Sequence, residues 1–182
     1  MKQRQHSKLC AGDKQALGDI PGLVSVTISP RLQQMYLFQD HDVLRVYKIS
    51  TAKNGLGEEK NSYKTPRGAH VIRAKIGATA PINAIFRQRR FKGDIYTPEL
   101  NEQNPHSDWI LTRILWLSGM EPGFNRLGNV DTMQRYVYIH GSPNERPIGI
   151  PTSRGCVRMR NEDIIEFFDL VPVGTRVYIE HE

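Results

Sequence analysis

The sequence predicts a mostly β domain, a β-sandwich or barrel with one packed helix, and three observations carry that prediction. Short apolar runs alternate with period two, the mark of half-buried strands. Clusters of Gly, Pro, Asn and Asp separate these runs at strand-like spacing. One segment near the C-terminus carries a clear helical stripe. At 182 residues the chain fits one domain. Folding at that length buries roughly 70% of the unfolded surface, so a core needs no disulfide or metal staple.

Residues 1–22 read as a polar arm, with residues 23–182 as the folded unit. In "LVSVTI", Val24, Val26 and Ile28 alternate with Ser25 and Thr27, which predicts the first strand. "QQMYLFQD" and "VLRVYKIS", joined by a short "DHD" between Gln39 and Val43, predict a hairpin. The turn-rich "NGLGEEKNSYKTPRG" predicts a loop and "AHVIRAKIG" a further strand. Residues 81–135, broken by Pro98 and Pro105, read as a less regular excursion from the sheet. Within them "WILTRILWLSG" fits a strand or a short helix equally, since periodicity does not settle a short apolar run. "YVYIHG" reads as a strand with Val137 and Ile139 on one face and Tyr136, Tyr138 and His140 on the other. In "NEDIIEFFDL", Asn161 is the expected cap and Glu162 and Asp163 suit the positive end of the dipole. Ile164, Ile165, Phe167 and Phe168 form its apolar stripe, Pro172 and Gly174 stop it, and "TRVYIE" is the last strand.

Charge and composition exclude more than they assign. With 38% apolar and 24% charged residues the chain is not a disordered one. Twenty-five Lys+Arg against 19 Asp+Glu give +6, part of it in the cluster Arg87, Arg89, Arg90 and Lys92. A solvated basic face accounts for that cluster, and no aromatic-interleaved motif accompanies it, so no nucleic-acid partner is expected. No segment approaches the ~18 apolar residues of a membrane span. The N-terminus as written lacks the apolar run of a signal peptide, which leads to the expectation of a cytoplasmic location, or a periplasmic or cell-wall one if the sequence is part of a longer precursor. The six histidines, at positions 6, 41, 70, 106, 140 and 181, form no HxxxH pair, and no metal site is expected.

Chemistry concentrates in "IHGSPNERPIGIPTSRGCVRM". Of two cysteines, Cys10 lies in the polar arm, while Cys156 follows Ser153, Arg154 and Gly155 and precedes Arg158. A thiol attacks a carbonyl as thiolate, so an imidazole base and nearby positive charge favour it. His140 is the candidate base, and Arg154 and Arg158 the candidate charges. Backbone amides around Arg154, Gly155 and Cys156 form a candidate oxyanion hole. Spacing alone leaves a plainer reading open, in which Cys156 is a small buried hydrophobe and His140 a satisfied strand-end histidine.

The wording of the stretch narrows this choice. "HGS", "IGIPTSRGCVRM", a helix and "VPVGTRVYI", preceded by "KTPRGAHVI", resemble the signature of the L,D-transpeptidase (YkuD-like) family over about residues 23–180. The resemblance implies that family's catalytic fold, with Cys156 as nucleophile, His140 as general base and no cofactor. It places Ser153, Arg154 and Arg158 in the substrate-binding turn, with Ser142 after Gly141 in the HG(T/S) element and Tyr138 on the same strand. It implies peptidoglycan stem peptides or muropeptides as substrates and penem-type β-lactams as inhibitors. The bond attacked would join the third stem residue, meso-diaminopimelate, to D-alanine. Many members carry histidine where this chain has Arg154, which, always charged, cannot shuttle a proton. Water is the expected acceptor, making the activity an L,D-carboxypeptidase of recycling; 3–3 cross-linking or D-amino acid exchange is the alternative. Outside the family, another cysteine hydrolase, a silent wall-fragment binder and a nucleic-acid binder remain open.

Overall fold

The computed structural model describes residues 24–182. The polar arm expected at 1–22, and Cys10 with it, lie outside the described residues. Ten strands and two α-helices follow in order: β1 Val24–Ser29, β2 Gln34–Gln39, β3 Asp42–Lys48, β4 Gly68–Ile76, β5 Ala84–Arg87, β6 Arg90–Ile95, α1 Pro98–Gln103, β7 Leu111–Gly119, β8 Tyr138–Gly141, β9 Val157–Met159, α2 Asn161–Leu170 and β10 Arg176–Ile179. The mostly β expectation holds.

The strands run β3-β2-β1-β10-β4-β7, and at β7 the sheet forks. One branch is the β5–β6 hairpin; the other is β8 and then β9, paired in parallel. The chain beyond β3 returns to the β9 edge. Ser50 and Arg158 exchange two backbone hydrogen bonds of 2.9 Å, and Ser153 N donates to Thr51 O at 2.9 Å. The sheet thus closes on itself, barrel-like, and no edge is left open there.

Alternation along β7 assigns the two sides of this closed sheet. Leu115 and Leu117 point into the main core with Val26, Ile28, Leu37, Ile72, Ile139, Val157 and Met159. Helix α2 adds Ile164, Phe167 and Phe168 to that core. Burying each such side chain contributes about 1.5–3 kcal/mol. Ile114 and Trp116 point the opposite way, to a second cluster with Tyr138, Phe86 and the partly buried Cys156. The functional stretch sits on that second side.

Three sequence readings need correction. Residues 81–135 are not an excursion: they supply β5, β6 and the nine-residue β7, where the sheet forks. The β5–β6 turn eludes a sequence reading because Gln88 (φ 50°) and Arg89 (φ 66°) both take left-handed backbone, a conformation for which Asn-Gly is the usual signal. Asn161 is not the cap of α2. Arg160 holds that position, and no side chain caps the helix. Instead Asn161 is buried, with Nδ2 donating to Asn83 Oδ1 (2.8 Å) and Oδ1 accepting from Thr112 Oγ1 (2.6 Å). Ile165 is only half-buried, so the stripe is Asn161, Ile164, Phe167 and Phe168.

Candidate active site

Register brings the chemistry together. On the parallel pair, His140 lies beside Arg158, and Cys156 falls two residues earlier on the same face, near Tyr138. Ile114 and Trp116 of β7 lie beside His140 and Tyr138 on the other flank. The odd-numbered neighbours, Ile139 and Val157, face the core. A period-two sequence therefore separates a packing face from a reactive face.

Cys156 rides on a stapled turn. Ser153 Oγ donates to Cys156 O and accepts from Gly155 N at 3.2 Å. Thr65 Oγ1 donates to Gly155 O (3.0 Å) and accepts from Ala52 N (3.0 Å). Gly155 has φ +122°, a backbone that side-chain-bearing residues rarely adopt, so the turn needs glycine there. Ser153 and Ser142, read as substrate-binding groups, are both engaged within the fold. Ser153 is 2% exposed and spent on the turn; Ser142 is 1% exposed and bonds Met159 O. Likewise the Gly155 amide expected in the oxyanion hole already has a partner in Ser153.

His140 is fully buried, and its Nδ1 lies 2.8 Å from Gly141 O. A carbonyl only accepts, so Nδ1 carries the hydrogen and Nε2 holds the lone pair. Nε2 has no hydrogen-bond partner. Burial lowers the imidazole to about 4, with Arg158 adding to that effect and Asp108 opposing it. At neutral pH the ring is an uncharged base. Gly141 must be glycine, since a Cβ would collide with Asn161 Oδ1 and Leu111 O.

The thiol is not hydrogen-bonded to that base. Cys156 Sγ faces Tyr136 O (3.5 Å) and accepts from Tyr138 N (3.4 Å). Burial pushes the thiol up to about 12; Asp108 adds to the rise, and Tyr138 N, Arg158 and Arg135 oppose it. The arginines are expected to favour the thiolate; desolvation acts the other way on the thiol and outweighs them, while it lowers the imidazole. Arg154 is not among the charges acting on the thiol. It is exposed, and its Nη2 donates to His106 O (3.2 Å).

Arg158, read from sequence as a substrate-binding residue, is 5% exposed and already engaged. Its Nη2 meets Asp108 Oδ1 at 2.5 Å and its Nη1 donates to Thr152 O at 3.2 Å. It anchors the segment before Cys156. Asp108 escaped the sequence reading because nothing in "NPHSDW" marks it as a partner for a residue 50 positions on.

A cavity of about 490 Å³ opens over this face. Cys156, Tyr138, Arg154 and Asp108 line it, together with Tyr136 and Arg89. Arg89, read from sequence as part of a solvated basic face, is half-buried in the cavity wall.

A glycine turn presenting a cysteine, beside a buried neutral histidine with a free lone pair, defines a cysteine acyl-transfer enzyme. The comparisons with known proteins give the class its particular form. The L,D-transpeptidase catalytic domain (YkuD) matches residues 24–179, and the chain belongs to that family, as a cysteine peptidase/acyltransferase. The putative L,D-transpeptidase YqjB of Bacillus subtilis is 28% identical over 161 residues, covering 88% of this chain and 73% of its own. Among solved structures, the L,D-transpeptidase from Mycobacterium smegmatis aligns with TM-score 0.51 at 18% identity, over 86% of this chain and 58% of its own. L,D-transpeptidase 3 from Mycobacterium tuberculosis, in complex with a faropenem-derived adduct, aligns with TM-score 0.51 at 16% identity, over 87% and 60%. The chain thus spans about three fifths of those solved chains, and the likeness to them is one of fold. Among the described residues no helix is long and apolar enough to cross a membrane.

Proposed function

We propose that Cys156 cleaves the L,D peptide bond between the third residue and D-alanine of peptidoglycan tetrapeptide stems, and that water is the favoured acceptor. The observation that carries the reading is the buried His140, its Nδ1 fixed by Gly141 O and its Nε2 unpartnered, on the same face as a cavity-lining cysteine. In the first half-reaction the thiol leaves Tyr136 O and passes its proton to Nε2 as Sγ bonds the scissile carbonyl carbon. The amides of Cys156 and Arg154 hold the oxyanion. The C–N bond then breaks, and D-alanine departs with the proton from Nε2. In the second, water attacks the thioester carbon, giving its proton to Nε2; the tripeptide is released and the thiol is restored.

Support for water comes from its access to the thioester. The cavity is open to solvent beside Cys156, and water, present at very high concentration, competes for the thioester without having to be held in place. The reading makes the protein an L,D-carboxypeptidase. The test is incubation of tetrapeptide with and without a second stem or D-methionine, read by mass spectrometry. Tripeptide as the main product supports it; a dimer or exchanged tetrapeptide dominating at modest acceptor concentration reverses it. A penem such as faropenem should acylate Cys156, visible as an intact-mass adduct lost in Cys156→Ala.

A further inference from the structure

Among the described residues, the cations around the cavity differ in what they touch. Arg158 is paired with Asp108, Arg154 rests on His106 O, and Arg87 is paired with Asp94 at 3.2 Å. Arg89 lies over two rings, 4.8 Å from the Trp116 centroid and 4.9 Å from that of Tyr136, and its Nη1 donates to Tyr138 OH at 3.2 Å. Its partners are a phenol and two aromatic faces, and no carboxylate is paired with it among the described residues. Stacking of this kind fixes the guanidinium plane while leaving other N–H donors of its fork to spare. The backbone at Arg89 takes φ 66°, an unfavourable choice for arginine. The hairpin turn thus holds a costly conformation with this side chain over the cavity.

Tyr138 measures how far that charge stands from the reacting atoms. Its backbone N–H touches Cys156 Sγ, and the far end of its ring, the hydroxyl, touches Arg89. The guanidinium is therefore about a tyrosine side chain away from the thiol. On the proposed substrate the D-alanine carboxylate lies too close to the scissile carbonyl to span that gap. The distal carboxylate of diaminopimelate, at the far end of the third residue's side chain, has the reach.

We propose that Arg89 is a specificity-determining residue that binds the distal carboxylate of the donor's third residue by a charge-assisted, two-pronged contact. This rests on the functional reading above and assigns the side chain that selects the donor. The phenol of Tyr138 positions the guanidinium from below, and the Trp116 and Tyr136 rings hold its plane.

Two tetrapeptides that differ in one carboxylate test it. One carries diaminopimelate in third place; the other carries lysine, which keeps the ammonium and lacks the distal carboxylate. The readout is the ratio of kcat/KM for the two, by D-alanine release. In the unaltered protein the diaminopimelate peptide is favoured about tenfold or more. In Arg89→Gln the ratio falls to near one, and Arg89→Lys, which keeps charge but not the fork, lies between. A ratio near one in the unaltered protein, or one that Arg89→Gln leaves in place while both rates fall together, overturns the assignment and makes Arg89 a structural residue. Calorimetry in a Cys156→Ala background separates this from failure of the reaction itself. There the diaminopimelate peptide binds, and adding Arg89→Gln weakens it about tenfold. Undiminished affinity, or no binding to Cys156→Ala, overturns the proposal. D-alanine release from neither peptide by the unaltered protein strikes the functional reading instead.

Discussion

Cys156 and His140 rest as a neutral pair, the thiol pushed up to about 12 and the imidazole down to about 4, both chiefly by burial. Alkylation of Cys156 by iodoacetamide, in a Cys10→Ala protein, should therefore keep rising about tenfold per pH unit through pH 7–9, as a thiol far below its pKa does. A plateau below pH 8 would mean a preformed thiolate. The kcat/KM profile should hold its value down to about pH 5, because His140 loses its base function only on approaching pH 4. An acid limb at pH 6.5 would contradict that environment. Asp108 is the second lever at this scale. Its charge adds to the thiol's upward shift and neutralises a nearly buried Arg158. Asp108→Asn should speed alkylation at pH 7 and, by leaving Arg158 unpaired, lower stability by roughly 1–3 kcal/mol, since Asp108 is partly exposed. Slower alkylation in that variant would reverse the sign of its role.

At the scale of elements, the nucleophile turn and the β7 bulge do the positioning. Ser153 bonds Gly155 N and Cys156 O, so Ser153→Ala should cost about 1–3 kcal/mol and lower kcat by displacing Cys156. Denaturant midpoints and initial rates measure the two together; full activity with normal stability would remove Ser153 from this role. The second device is a bulge near the start of β7, where Thr112 takes φ 68° and the register to β8 shifts between Leu111 and Ile114. Thr112 then bonds Asn161, and Asn161 bonds Asn83, tying α2 to β7, the strand paired with β8, and to the residue before β5. Local pattern announced β1 to β4, β8 and β10 and left β7 between strand and helix, and the HGS and SRGC words marked the face that carries His140 and Cys156. It did not announce Thr112, because left-handed backbone at a β-branched residue runs against propensity and is imposed by tertiary contacts. Asn161 misled for a related reason. Its residue type fits a cap, but a buried network one position inside the helix claimed it. Arg89 read as surface because a charge cluster in sequence says nothing of which member a hairpin turn aims inward.

The whole molecule answers to pH through its buried titratable groups. His70 and His140 are both fully buried and lowered to about 4 by burial. The unfolded chain binds protons at these sites near pH 6.5 and the folded chain does not, so stability is full above 6.5 and falls as pH drops toward 4. Each histidine contributes on the order of 3 kcal/mol to that loss. Cys156 acts in the opposite sense: with its thiol raised in the folded state, stability is lost as pH rises from 9 toward 12. Urea unfolding at pH 7 and pH 4.5 should show the acid loss, and His70→Gln should relieve part of it; equal stability at the two values would refute neutral burial. The fold places Cys156 on the cavity wall and His140 on the same face of the sheet, and the proposed nucleophile is open to one direct measurement. Intact-mass spectrometry of the protein mixed with a diaminopimelate tetrapeptide, quenched in acid, should show a tripeptide thioester adduct with release of D-alanine. Both should be absent from Cys156→Ala and present in Cys10→Ala. An adduct or D-alanine release persisting in Cys156→Ala would contradict Cys156 as the nucleophile.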